Sequence, residues 1–95
     1  MRRKSRFTKF ANDDFIIDNT DTQTAHGFTP NNTVENNDII YIVNKNKLSV
    51  YRLSNITYCS NIMFLCSYSK ITSKKSFDKS ELLYYNEFLK EYEWD

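Results

Sequence analysis

The chain has 95 residues, 40% of them apolar and 26% charged, with a formal net charge of +1. A chain this short is one domain that buries only about 60% of its unfolded surface, so it has room for a single core. It holds no run of about 18 apolar residues, which excludes a membrane-spanning helix of the usual kind, and its single Gly excludes a glycine-rich phosphate loop.

The small net charge hides a sorting of charge into blocks. Residues 1–10 carry Arg2, Arg3, Lys4, Arg6 and Lys9 and no acid, whereas residues 11–38 carry Asp13, Asp14, Asp18, Asp21, Glu35 and Asp38 and no Lys or Arg. Residues 39–77 are basic again, and the tail from Asp78 is mostly acidic. Like charges grouped on one surface steer oppositely charged partners, so the blocks point to binding. The richness in Asn, Lys, Ile, Tyr and Ser is typical of AT-rich coding sequence and suggests a low-GC bacterium, its phage or plasmid, or an AT-rich eukaryote or virus.

Taken in chain order, residues 1–12 read as a flexible basic arm with little to bury, ahead of a single domain over 13–95. The opening MRRKSRF runs into TKFANDDF rather than an apolar segment, so no secretory leader is expected and the protein is placed in the cytoplasm. Phe15, Ile16 and Ile17 make a short strand. The polar, acidic stretch 18–38 follows; a structureless link of that length is uncommon in a small domain, so it is either a functional loop or partly folded. IIYIV (39–43) and LSVYRL (48–53) flank a polar NKNK break and predict a hairpin. Residues 56–71 predict a long central strand, bent near Ser60 and Asn61 or split into two. Cys59 and Cys66 are an odd number of residues apart, so on one strand they take opposite faces and are expected as free thiols.

At the end, Asp78 and Glu81 have capping-box spacing and Phe77 and Leu82 staple spacing, which predicts a helix from about Lys79 to Tyr92. Leu82, Tyr85, Leu89 and Tyr92 give it an apolar stripe. The expected fold is therefore α+β: a small antiparallel sheet of three to five strands with one C-terminal amphipathic helix packed on it. Acid at the end of that helix is disfavoured by the macrodipole, by about 0.3–1 kcal/mol per residue, and a broken local rule marks a place to look for function.

No catalytic set emerges. His26 is the only histidine and lies in TAHGFTP with no nucleophile motif beside it. One His and two Cys do not make a zinc site. No enzyme, metal or cofactor is expected. Two binding surfaces are. The first is acidic and aromatic, Glu87, Glu91, Tyr92, Glu93, Trp94 and Asp95, suited to a protein partner with a basic surface. The second would take nucleic acid through the arm residues Arg2, Arg3, Lys4 and Arg6 and the turn residues Lys45, Lys47, Lys74 and Lys75, with strand aromatics such as Tyr41, Tyr51, Tyr58, Phe64 and Tyr68 as stacking platforms. If IIYIV lies at a sheet edge, pairing with a second copy makes a homodimer.

In size, AT-rich composition, acidic surfaces and lack of catalytic motifs, the chain resembles the short accessory proteins of phages and mobile elements that bind and block a host machine, anti-CRISPR and other anti-defence inhibitors among them. That resemblance implies a non-enzymatic protein-binding inhibitor acting in the host cytoplasm. A small nucleic-acid-binding or ribonucleoprotein component, and an antitoxin or immunity protein, are the alternatives.

Overall fold

The computed structural model describes residues 7–31, 33–77, 79, 81 and 93–94. Its strands are β1 (Phe7–Lys9), β2 (Phe15–Asn19), β3 (Thr24–Phe28), β4 (Ile39–Asn44), β5 (Lys47–Tyr58), β6 (Met63–Ile71) and β7 (Glu93–Trp94), with one 3-10 turn at Lys74–Ser76. Six strands form a mixed sheet in the order β1-β4-β5-β6-β3-β2, and β7 flanks the start of β5. β1 runs parallel to β4 and β7 parallel to β5; the other pairs are antiparallel.

Consecutive strands β1 and β2 lie at opposite edges, and this curls the sheet. The Phe10 amide donates to the Tyr41 carbonyl on β4, and the Asp14 carbonyl accepts from the Phe28 amide on β3, both at 2.9 Å. Four residues span at most about 14 Å, whereas five interstrand spacings in a flat sheet would be about 24 Å. The sheet must therefore close on itself into a partly open barrel. Ring contacts agree: Phe15 on β2 sits 5.2 Å from Tyr51 on β5, across two intervening strands.

Inside the curl lie Phe10, Phe15, Ala25, Ile40, Ile42, Tyr51, Leu53, Phe64, Cys66 and Tyr68, with Val34 plugged in from the loop before β4. A second cluster on the outer face joins Ile39, Leu48, Val50, Ile71 and Phe77 under the rim of Phe7, Tyr41 and Val43. Strand alternation sends neighbouring residues of β4 and β5 to the two clusters. In β5 that alternation is interrupted. Ser54 pairs with Ser67 and Thr57 with Leu65, so Asn55 and Ile56 together oppose Cys66, with Asn55 at φ 52°. This bulge shifts the phase by one, and Ile56 and Tyr58 pack inward after Tyr51 and Leu53.

The expectation of a three- to five-stranded antiparallel sheet with a C-terminal helix is corrected. The sheet has six strands in its main path and is mixed, and among the described residues no α-helical element is delimited, only Lys79 and Glu81 being helical. Besides β7, two strands of the main path escaped the sequence reading for physical reasons. β1 lies within the supposed flexible arm, where Phe7 stacks on Tyr41 at 4.5 Å. β3, TAHGF, lies within the polar stretch and has only Ala25 and Gly27 on its buried face. Glu81, expected in the capping box, holds Arg52 with its carboxylate at 2.7 and 3.0 Å. The remainder of the expected helix, 82–92, lies outside the described residues, as does Asp78. The stretch 56–71 is two strands rather than one, so the opposite-face argument for its cysteines lapses; Cys59 is exposed in the turn and Cys66 buried, and both are free.

Candidate functional site

β2 and β3 form a hairpin whose turn is built by Asn19, whose Oδ1 accepts from the amides of Asp21 (2.8 Å) and Thr22 (3.1 Å). β3 then pairs with β6, which sets Ile16 opposite His26, His26 opposite Leu65, and Phe28 opposite Met63. Alternation directs these side chains to the outer face, away from the core. There they stay open: Ile16 is 41% exposed, Phe28 37% and Leu65 48%, and Ile62 in the adjoining turn is 63% exposed. Single exposed apolar residues are ordinary, but a contiguous set on one sheet face marks a contact surface.

His26 lies in the middle of this set. Its Nδ1 stands 2.8 and 2.9 Å from the two oxygens of Asp18. An ionised carboxylate only accepts, so Nδ1 carries the proton and Nε2 points elsewhere. The ring also meets Phe28 edge to face at 5.5 Å. Asp18 therefore orients the imidazole on the surface. Among the described residues no cluster of His, Cys, Asp and Glu capable of holding a metal ion is present. The hairpin is acidic throughout, with Asp13, Asp14, Asp18 and Asp21 all exposed and no Lys or Arg between residues 11 and 38.

Cys66, on the inner face beneath, is 5% exposed. Burial, with the negative charge of Asp18 adding to it, pushes its thiol from the ordinary 9.0 up to about 12.

The sequence-predicted sites fare differently. Of the acidic aromatic set, Glu87, Glu91, Tyr92 and Asp95 lie outside the described residues. Glu93 and Trp94 form β7, in register with Lys47 and Leu48. Glu93 is thus in a strand, and the macrodipole argument does not apply to it. Of the basic set, Arg2, Arg3, Lys4 and Arg6 lie outside the described residues. Lys45 lies in the β4–β5 turn and Lys47 opens β5, and Lys74 and Lys75 begin the 3-10 turn after β6. Val50 pairs with Ile71, so both segments leave the sheet at the same end. Arg52 is occupied: besides Glu81 it reaches the Ser76 carbonyl (3.3 Å) and the Asn37 side chain (3.2 Å). Tyr51, Phe64 and Tyr68 are buried and build the core, where no base can stack on them.

Sequence reasoning missed the outer face of β2, β3 and β6. Its signal was present in Leu65 and Met63, apolar on the strand face opposite Phe64 and Cys66, but β3 was needed to place Phe28 and His26 beside them. Among the described residues no helix is long and apolar enough to cross a membrane. Comparison with protein-family models, with curated proteins and with solved structures gives no match.

Proposed function

We propose that this chain is a non-enzymatic protein-binding module, of the inhibitor or anti-defence kind, working in the cytoplasm. The observation that carries the reading is the exposed apolar set Ile16, Phe28, Ile62 and Leu65, on and beside a hairpin whose formal charges are all negative. An apolar centre with an acidic rim fits a partner surface that is apolar with a basic rim. The C-terminal residues Glu87, Glu91, Tyr92, Glu93, Trp94 and Asp95 extend the same chemistry and are a second contact in this reading.

The test is affinity capture on tagged protein from lysate of a low-GC bacterium, with and without nuclease, run in parallel on Ile16→Ser/Leu65→Ser and on Lys45→Ser/Lys75→Ser. A protein retained after nuclease, lost with the apolar double variant and kept with the lysine variant, supports the proposal. Retention by both variants, or recovery that collapses with nuclease, overturns it. The nucleic-acid alternative has one supporting observation, the shared sheet end of Lys45, Lys47, Lys74 and Lys75. It requires affinity for single-stranded nucleic acid that falls steeply with salt.

A further inference from the structure

Where β2 and the far end of β4 part, a cleft of about 300 Å³ opens between Phe15, Ile17, Ile42 and Tyr51, with Asn12 and Lys47 at its rim. Its walls come from β2 (Phe15, Ile17) and from the end of β4 (Ile42, Asn44), next to Val43, and the hydrogen-bond ladder says which way their main chains point. The Leu53 amide donates to the Asp38 carbonyl at 2.9 Å and the Phe10 amide to the Tyr41 carbonyl at 2.9 Å. Even-numbered residues of β4 therefore turn their main-chain groups to β5, and odd-numbered ones turn theirs toward β1. β1 stops in register with Tyr41, so the amide and carbonyl of Val43 point past its end. On β2, the bond from the Phe28 amide to the Asp14 carbonyl turns Ile16 toward β3 and turns Phe15 and Ile17 outward. Among the described residues no strand pairs with Val43 on that side, or with the outer edge of β2.

We propose that this cleft accepts an extended segment of a partner polypeptide, added as a strand between β2 and the end of β4. Outward-directed amides and carbonyls, of Val43 on one side and of Phe15 and Ile17 on the other, favour an extended backbone over a compact ligand. The segment takes the position beyond Tyr41 into which β1 does not extend and completes the closure of the barrel. Its inward side chain, among Phe15, Ile17 and Ile42, is apolar and β-branched. Lys47 is the one charged side chain lining the cleft among the described residues, so the segment carries an acidic residue at that end. The cleft lies on the inner side of the sheet, so this inference stands apart from the outer-face proposal.

The probe is a synthetic, end-blocked hexapeptide of alternating valine and threonine closed by an aspartate, titrated into isotope-labelled full-length protein and followed by amide NMR. Saturable shifts at Phe15, Ile17, Val43 and Lys47, with slowed exchange of the Val43 amide, are expected. The same peptide with alternate amides N-methylated keeps its side chains and loses half its donors, and should bind about tenfold more weakly or worse. Ile17→Pro removes an outward donor at an edge position that tolerates proline and should act in the same direction. Equal affinity for the methylated peptide, shifts confined to the outer face, or no saturable shift overturns the proposal. So does concentration-dependent perturbation of the same amides with no peptide added, which would make a second copy the occupant.

Discussion

Gly27 faces Phe64 so closely that a Cβ built on it would stand 2.5 Å from the ring's Cζ and 2.7 Å from Cε1, with the Asp14 carbonyl 3.3 Å away. The ring is fully buried and meets Phe10 and Tyr58, so it has nowhere to retreat. Gly27→Ala is expected to cost about 1–3 kcal/mol by overpacking, measurable as a lower urea midpoint with unchanged slope. The two cysteines make a second contrast. Cys59 should be alkylated readily at neutral pH, and Cys66 should stay protected until the protein unfolds. The folded state keeps the Cys66 proton that the unfolded chain releases. Its contribution to stability is therefore full below pH 9 and is lost as pH rises from 9 toward 12. The difference in urea midpoint between wild type and Cys66→Ala should shift against wild type across that interval. An unchanged difference would contradict the burial argument.

At the level of elements, the β4–β5 turn shows how much local sequence can say. NKNK between two apolar runs predicts a hairpin, and the structure closes it on two residues, Lys45 at φ 51° and Asn46 at φ 67°. Both lie in the left-handed region, which lysine occupies at a cost. Replacing Lys45→Asn together with Asn46→Gly should stabilise the fold by about 1 kcal/mol, read from thermal or chemical unfolding. The Phe15–Ile17 strand was equally legible, because apolar runs are local, whereas the sequence ends one strand at Leu53 and the structure carries β5 on to Tyr58. The bulge was not legible, since a phase shift is fixed by which residue of β6 each residue of β5 faces. β3 was illegible for a related reason: Gly27 is there to admit Phe64, a demand made from across the sheet. Arg52 and Glu81, distant in sequence, gave no sign of their pairing either. Breaking that ion pair with Glu81→Gln leaves a partly buried guanidinium short of a partner and should cost about 1–3 kcal/mol, checked by a double-mutant cycle with Arg52→Met.

For the molecule as a whole, closure rests on few residues. Phe10 touches Phe15 and Phe64 at 6.3 and 6.2 Å and sits where the chain crosses from one sheet edge to the other. Phe10→Ala should cost about 3–5 kcal/mol, a large share of the stability of a domain this size. The candidate surface also belongs to this scale. None of Ile16, Phe28 and Leu65 is remarkable alone, and only the β2–β3–β6 order makes them neighbours, so the sequence showed the acidic block without the apolar centre inside it.

The crossing from β1 to β2 also governs the order in which the chain can assemble. Phe7 to Phe15 leave the ribosome before the strands they pack on, yet Phe7 waits for Ile39 and Tyr41, and Phe15 for Tyr51. Phe10 has to wait longer still, for Phe64. A segment made before the other strands is therefore among the last to find its place, and a nascent chain halted before β6 carries unsatisfied aromatic residues there. Synthesis with β1 and β2 relocated behind Asp95 would remove that wait, and the yield of folded protein from such a permuted chain would report how much the delay matters.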